Sequence, residues 1–387
     1  MHITHQASGT CHTSRRGDVR CLPYRRPERG SMAFPRPSKP PLVPTTPTPT
    51  TTPSRTSSNR PPDPSRRKLT AAVVALMVFA PMAASCARDG TEGSGPVTIL
   101  ANWFPQAELG GYFHAAEQKP AEGSEERPIK VLPGGPGIQT IPQVAAGKAV
   151  FGVATGADDL LVARREGLPI VAVFAPFRAN ITCLTAHASS GVKGFADLDG
   201  RKVARVQSRP WWEYLKRHYK LDRVQEINYT GSLAAFKKDK GLVQQCYVTS
   251  EPFYLKRDGV PVTTLSISDQ GGYAAYSNVL FTTEQTIKRD PELVKSVVER
   301  VARGWEAFRA DPAVGKQAIV AANKDTDPGV VDFAAQVMRS GRWVSSPPGA
   351  MTEAQWLKIR DQVAEAGLVP GSTDVKGAFT TQFLPTQ

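Results

Sequence analysis

Residues 138–174 read IQTIPQVAAGKAVFGVATGADDLLVARREGLPIVAVF and alternate between helical and strand patterns. The spacing of the apolar residues predicts two helices, each ended by a glycine, and two strands, over 138–146, 149–153, 158–166 and 170–174. Short strands that alternate with helices are typical of α/β proteins, in which helices cover the faces of a largely parallel sheet.

The same alternation continues on both sides of this stretch. A first series begins at the strand Val97–Leu100, and a second α/β series runs from about Ile181 to Val248. Helices follow, with capping residues at Asp290 and Thr352. Two α/β series followed by helices predict two lobes. We expect the chain to cross from the first lobe to the second near Ala179 and to return to the first near Tyr276. We expect residues 96–179 and 277–387 in lobe one, residues 180–276 in lobe two, and the ligand in the cleft between them.

A candidate export signal precedes these lobes. Arg66-Arg67-Lys68 is followed by a short apolar run and then by Ala83-Ala84-Ser85-Cys86. A basic segment, an apolar segment and a small-residue cleavage site make a secretory signal, and the run is too short to span a membrane. The order resembles a bacterial lipobox, which predicts lipidation of Cys86 and an extracytoplasmic protein anchored to the cell membrane. An ordinary signal peptide with a chance cysteine is the alternative.

Composition differs sharply on the two sides of Cys86. Residues 1–85 carry 13 Lys and Arg against 3 Asp and Glu, so they account for +10 of the formal net charge of +13. The remaining +3 does not indicate a nucleic-acid partner. We interpret residues 1–85 as a Pro/Thr-rich, disordered extension with the signal peptide, and 86–95 as a tether.

Several motifs resemble one family in an ordered series. They are Asn102-Trp103-Phe104-Pro105, Glu108, Gly111-Tyr112-Phe113, Pro133–Pro136, Val144–Val153, Ala157–Leu161, Gly167–Val173, Tyr247–Pro252 and Asn278–Thr283. The series is similar to the thiamine-pyrimidine binding group, which sits with the sulfonate and nitrate solute-binding proteins of ABC importers. The resemblance implies a two-lobed periplasmic-binding-protein fold of type II. It also implies a small-molecule solute, partner permease and ATPase subunits, and a monomeric receptor.

The candidate ligand-binding residues follow predicted strands. Asn102 and Trp103 come just after the first strand, where an indole can stack on a flat ring and an amide can donate and accept. Thr155 and Gly156 precede a helix, so their backbone N–H groups are expected to point into the cleft. Ser208 precedes a helix of the second lobe, where capping that helix is the alternative role.

Tyr247 and Glu251 are the most specific pair of predicted ligand contacts. If the strand that contains Tyr247 persists to Glu251, both side chains lie on one face. A carboxylate in the cleft would accept from an amino group on a heterocycle and would repel a sulfonate or nitrate. In the resembling pyrimidine binders an acidic residue of this stretch contacts the ligand. A solvated glutamate before a turn is the alternative.

Aromatic residues in the expected cleft also favour a flat ring, since each can stack on one. They are Trp103, Tyr112, Trp211, Trp212, Tyr247, Tyr273 and Tyr276. Their number favours an amino-substituted aromatic solute over a sulfonate, taurine or nitrate, and the resemblance implies that this solute is a thiamine-pyrimidine precursor.

Catalysis is not indicated. Enzymes of the resembling group need a histidine where this chain has Leu109, and His114 is displaced to what should be the other side of the helix. No His/Cys cluster indicates a metal, and no cofactor motif is present. Cys183 and Cys246 could pair or be separate buried residues. We interpret the chain as a binding protein, with an extracytoplasmic enzyme or sensor as the less favoured class.

Overall fold

The computed structural model describes residues 11–13, 19–21, 95–120 and 126–386. Its first unit, within residues 1–84, contains two antiparallel strands, β1 (Cys11–Thr13) and β2 (Val19–Cys21). The predicted lipidation site Cys86, the signal segment before it and most of the tether lie outside the described residues. Within the described part, no helix is both long and apolar enough to cross a membrane.

The second unit, residues 85–387, is built on two sheets. The first sheet has six strands in the order β13-β6-β12-β5-β3-β4. They are β3 (Val97–Leu100), β4 (Ile129–Leu132), β5 (Phe151–Gly156), β6 (Ile170–Phe177), β12 (Ser277–Thr283) and β13 (Val344–Gly349). Strand β3 pairs in parallel with β4 and β5, whereas β12 runs antiparallel to both β5 and β6.

The second sheet has five strands in the order β11-β7-β10-β8-β9. They are β7 (Thr182–His187), β8 (Lys202–Arg205), β9 (Gln225–Asn228), β10 (Val243–Tyr247) and β11 (Val262–Ser266). Strands β8, β9 and β10 are parallel neighbours, and β7 runs antiparallel to β10 and β11. Cys183 and Cys246 lie directly opposite each other on β7 and β10 and form a disulfide, which answers the question that their sequence positions left open.

Helices cover both sheets. They are α1 (Gly110–Glu117), α2 (Thr140–Ala145), α3 (Ala157–Arg165), α4 (Pro210–Tyr219), α5 (Ala234–Lys238), α6 (Glu251–Arg257), α7 (Glu284–Arg289), α8 (Pro291–Ala310), α9 (Ala313–Ala322), α10 (Pro328–Arg339) and α11 (Glu353–Glu365). The capping residues Asp290 and Thr352 each accept a backbone N–H of the helix that they precede. Gly304 allows α8 to lie against α1, because a Cβ there would be 2.5 Å from the carbonyl oxygen of Gly111.

The chain passes between the two sheets twice. It leaves the first sheet after Phe177 and enters the second at Thr182, then returns between Ser266 and Ser277. We call the elements around the first and second sheets the first and second lobes. The bounds of the lobes at Ala179 and Tyr276 stay a proposal. The mixed α/β architecture with two sheets confirms the predicted fold class.

One local prediction is wrong. Strand β10 ends at Tyr247, and Glu251 is the first residue of α6, so Tyr247 and Glu251 do not share a strand face. Pro252 stands in the first turn of α6, where its missing N–H costs no helical hydrogen bond. The sequence Ser250-Glu251-Pro252 is therefore a helix start rather than the end of a strand.

Candidate functional site

A cavity of about 880 Å³ lies between the two lobes. The first wall, from the first lobe, consists of Asn102, residues 136–142, Ala154, Thr155, Asp159, Val162, Ala163, Glu166 and Leu168. The second wall, from the second lobe, consists of residues 206–210, Glu213, Asn228 and Tyr229, and Leu368 closes one edge. The cavity therefore occupies the predicted cleft, and Asn102, Thr155 and Ser208 line it as expected.

Asn102 is fixed in the first wall by a buried network. Its Nδ2 donates to Thr155 Oγ1 at 3.2 Å and to Asn278 Oδ1 at 3.1 Å. The Asn278 Nδ2 donates to the carbonyl oxygen of Glu108, and the Tyr112 hydroxyl donates to the carbonyl oxygen of Asn278 at 2.6 Å. Asn278 has a left-handed backbone with φ of 52°, which these bonds help to hold. The ring of Tyr112 is fully buried behind the wall, so Tyr112 supports the cavity without lining it.

Trp103 and Tyr229 stack across the two lobes. Their ring centroids are 6.3 Å apart and their planes differ by 15°. The face of Trp103 that was predicted to hold the ligand thus lies against Tyr229, and Tyr229 is the member of this pair that lines the cavity. Tyr229 directly follows β9, and sequence reasoning missed it although an aromatic residue after a parallel strand was the available signal.

Glu251 holds Tyr229 from behind. Its Oε1 accepts the Tyr229 hydroxyl at 2.7 Å, and its Oε2 accepts the Tyr247 backbone N–H at 2.7 Å. Both oxygens are thus engaged within the second lobe, and neither Glu251 nor Tyr247 lines the cavity. Burial raises the pKa of Glu251, while the two hydrogen bonds oppose that rise.

Glu108 is a second buried carboxyl near Glu251. Its side chain is 1 % exposed, and neither carboxyl oxygen accepts a hydrogen bond from a described residue. Burial, with a smaller contribution from the charge of Glu251, raises the pKa of Glu108 to about 8. At neutral pH Glu108 is therefore mostly protonated, and the carboxyl group is held uncharged behind the first wall.

An ion pair crosses the cavity. Arg209 Nη1, from the second wall, donates to Asp159 Oδ2, from the first wall, at 3.2 Å. The same Oδ2 accepts the backbone N–H of Gly156 at 3.2 Å. The Gly156 N–H therefore points to Asp159 and is not available to a ligand, which corrects the prediction made for it. Burial raises the pKa of Asp159, while Arg209 opposes that rise.

The other residues singled out from the sequence lie either in the cavity wall or in the protein interior. Ser208 lines the cavity with φ of 57°, and the residue that precedes α4 directly is Arg209, so Ser208 is not the cap of that helix. The remaining aromatic candidates are buried in the apolar core: Trp211, Trp212, Tyr273 and Tyr276. His114 is buried as well, at 9 % exposure.

Comparison with known proteins confirms the resemblance that the motifs indicated. Residues 128–314 match the NMT1/THI5 like family. The riboflavin-binding protein RibY of Chloroflexus aurantiacus is 27 % identical over 310 residues, covering 75 % of this chain and 86 % of RibY. The chain is therefore similar to the NMT1/THI5-like proteins over residues 128–314.

Solved structures agree on the architecture. The alkanesulfonate-binding protein SsuA from Xanthomonas axonopodis pv. citri superposes with a TM-score of 0.56 at 16 % identity, over 75 % of this chain and all of SsuA. The ligand-binding component of an ABC-type import system from Staphylococcus aureus gives 0.57 at 12 % identity, over 74 % and 97 % of the two chains. The fold is thus the two-lobed binding-protein fold of type II that was predicted.

Proposed function

We propose that this chain is the extracytoplasmic solute-binding component of an ABC importer and that its cleft captures a flat heteroaromatic compound. A flavin is the first candidate. The observation that carries this proposal is the cavity between two lobes, with Tyr229 on one wall and an amide and hydroxyl, those of Asn102 and Thr155, on the other. Two-lobed binding proteins close around a solute in such a cleft.

Cavity size favours a ring larger than a single pyrimidine. Pockets that enclose a drug-sized ligand measure roughly 300–1,000 Å³, and the cavity here is about 880 Å³. A tricyclic flavin with its polyol chain would fill more of this volume than one six-membered ring. The relation to RibY, a riboflavin-binding protein by name, supports the same choice.

The charge of the walls disfavours an anionic solute. Among the described residues that line the cavity, Arg209 is the one basic side chain, and it is paired with Asp159. Glu166 and Glu213 add two further carboxylates, of which Glu213 is paired with Lys216 outside the cavity lining. A sulfonate or nitrate would meet more negative than positive charge, and like charges repel most strongly where water is excluded. Sulfonate, taurine or nitrate binding is therefore the alternative that the experiment below must exclude.

A thiamine-pyrimidine precursor is the second candidate. The sequence motifs resemble pyrimidine binders, and the buried carboxyl of Glu251 lies directly behind Tyr229. However, Glu251 does not line the cavity and its carboxylate already accepts hydrogen bonds from Tyr229 and Tyr247, so Tyr229 would have to move, at a cost in free energy, before an aminopyrimidine could reach it. This cost places the pyrimidine after the flavin.

Binding of purified, ligand-free protein decides between these solutes. Riboflavin, 4-amino-5-hydroxymethyl-2-methylpyrimidine and an alkanesulfonate are each titrated by calorimetry, and riboflavin also by fluorescence. We expect micromolar or tighter affinity for riboflavin, which corresponds to about −8 kcal/mol or better. Tight binding of the sulfonate with neither ring bound would contradict the proposal. Conversion of a bound solute to product would favour an enzyme over a receptor.

The tether is tested separately. We propose that Cys86 carries the lipid anchor that keeps the receptor beside its permease and ATPase. Cys86→Ser should move the protein from the membrane fraction to the soluble extracytoplasmic fraction and abolish incorporation of labelled fatty acid. Ser85→Ala is the matched control, since it keeps both the cysteine and a small residue before it. Membrane retention of Cys86→Ser without any labelling of the wild type would show that the anchor is elsewhere.

A further inference from the structure

The ion pair between Asp159 and Arg209 joins the two lobes and also lies where it can contact a bound solute. Both residues line the cavity, and their side chains are 14 % and 21 % exposed. Asp159 Oδ2 is occupied by Gly156 and Arg209, whereas Oδ1 accepts no hydrogen bond from a described residue. Arg209 donates only its Nη1 hydrogen bond within the described part of the chain, and a guanidinium has five N–H groups. Asp159 Oδ1 can therefore still accept a hydrogen bond from a ligand, and the neighbouring guanidinium of Arg209 can still donate several.

We propose that Asp159 and Arg209 together recognise the imide edge of a pyrimidinedione ring, the edge that a flavin presents. This inference rests on the flavin candidate of the proposed function. In such an edge a ring N–H lies between two carbonyl groups. Asp159 Oδ1 accepts the N–H, and a free guanidinium N–H of Arg209 donates to a neighbouring carbonyl oxygen. The ring thus bonds to both lobes at once and stabilises the closed arrangement of the cleft.

The pairing predicts which ring class is selected. An aminopyrimidine offers an amino N–H beside one ring-nitrogen acceptor, so it gives Arg209 a single neutral nitrogen where an imide gives a carbonyl oxygen on each side of its N–H. A sulfonate offers acceptors but no donor, so it could use the free N–H groups of Arg209 but would leave Asp159 without a donor and would place its own negative charge beside that carboxylate. A ring with the alternating acceptor, donor and acceptor of an imide satisfies both residues without breaking the bond between them. Hydrogen bonds to charged groups of this kind are the stronger ones in proteins.

The test compares riboflavin with 3-methylriboflavin, in which a methyl group replaces the imide hydrogen. Wild-type protein should bind 3-methylriboflavin roughly ten- to hundredfold more weakly, as expected for the loss of one hydrogen bond to a charged group. In Asp159→Ala the affinity for riboflavin should fall by a similar factor, while the difference between the two flavins should shrink to less than about threefold. Asp159→Asn, which preserves the shape of the side chain, serves as the second variant if Asp159→Ala is unstable.

Asp269→Ala is the matched control. Asp269, which follows β11, pairs with Arg342, which precedes β13, at 2.6 Å and outside the cavity. Losing this pair removes a comparable contact between segments of the two lobes, and the variant should keep the full preference for riboflavin over 3-methylriboflavin.

Each result has a distinct meaning. Equal binding of the two flavins by the wild type would overturn this inference and leave the proposed function intact. Equal weakening of both flavins in Asp159→Ala, with the preference retained, would overturn it too, because the pair would then only hold the lobes together. Failure of the wild type to bind either flavin would overturn both the inference and the flavin assignment.

Discussion

The two walls of the cavity are held in different ways. In the first wall, Asn102 is bonded to Thr155 and Asn278, which stand on neighbouring strands of the same sheet. In the second wall, Tyr229 and Arg209 lie outside the strands and depend on carboxylates, those of Glu251 and Asp159. The first wall is thus positioned by its own sheet, whereas the second is positioned by carboxylates on two helices, one of which belongs to the opposite lobe.

This difference has a consequence for recognition. Hydrogen bonds within a sheet keep Asn102 and Thr155 in place whether or not the lobes are together. Arg209 is bonded to Asp159 of the opposite lobe, so its position depends on closure. We expect the first wall to be preformed in the open protein and the second wall to complete the site when the lobes close. The following predictions test this contrast, in order of decreasing effect.

The largest effect is expected from Glu108, which lies behind the first wall. Its pKa is about 8 in the folded protein against an ordinary value of 4.5, so folding favours the protonated form. Stability from this group is complete below pH 4.5 and is lost as the pH rises to 8 and beyond. For Glu108→Gln, which cannot ionise, the free energy of unfolding should exceed that of the wild type at pH 9 by roughly 3–5 kcal/mol.

Urea denaturation at pH 4.5, 7 and 9 measures this difference directly. The two proteins should have similar stability at pH 4.5, because glutamine resembles the protonated acid in shape. Glu306→Gln, on the exposed side of α8, is the control and should follow the wild type at each pH. If the curves for the wild type and Glu108→Gln run parallel from pH 4.5 to 9, Glu108 is not buried uncharged.

The next effect concerns Tyr229 in the second wall. Tyr229→Ala removes the aromatic face that lines the cavity and leaves Trp103 without its stacking partner, so riboflavin affinity should fall about a hundredfold. Tyr219→Ala, a second-lobe tyrosine outside the cavity, is the matched control and should bind riboflavin normally. Fluorescence titration gives both affinities. A loss below threefold in Tyr229→Ala would assign the aromatic contact to another residue.

A smaller effect separates direct from indirect action of Glu251. Since Glu251 accepts the Tyr229 hydroxyl, Glu251→Gln should lower affinity for riboflavin about three- to tenfold by loosening Tyr229. The same substitution made in Tyr229→Phe, which has no hydroxyl to hold, should have little further effect. Calorimetry of the two single variants and the double variant measures the coupling. Additive losses would mean that Glu251 contacts the ligand itself, as the sequence alone suggested.

The contrast between the walls also explains what the sequence could predict. Asn102 and Thr155 follow or end strands whose apolar pattern is clear, and the carboxyl ends of parallel strands meet at one edge, so local sequence was enough to place them. The helix caps Asp290 and Thr352 were equally local. Tyr229 and Asp159 are recognised as site residues only from their hydrogen bonds to residues 22 and 50 positions away in the sequence. The contact of Tyr229 with Glu251 depends on packing within the second lobe and that of Asp159 with Arg209 on packing between the lobes, and apolar periodicity reports neither.

Two further differences between the predicted and the observed secondary structure also depend on tertiary packing. The stretch Tyr-Val-Thr-Ser-Glu-Pro favours an extended conformation that could reach Glu251, although proline in the first turn also suits a helix start. Strand β13 (Val344–Gly349) was not predicted, because Ser345-Ser346-Pro347-Pro348 has poor strand propensity. It lies at the edge of the first sheet, where the missing N–H of proline is tolerated. The tertiary setting decided both elements.

The smallest effect is expected within the first wall itself. Thr155→Val preserves shape and removes one of the two acceptors of the Asn102 amide, while Asn278 Oδ1 remains at 3.1 Å. One neutral hydrogen bond contributes about 0.5–1.5 kcal/mol, and the second acceptor keeps Asn102 oriented, so riboflavin affinity should fall only two- to fivefold. Thr98→Val is the control, because Thr98 also accepts one hydrogen bond in the first lobe but does not line the cavity. A loss above about twentyfold in Thr155→Val would mean that the hydroxyl contacts the ligand directly, and that the first wall, like the second, completes its hydrogen bonds only when the solute is bound.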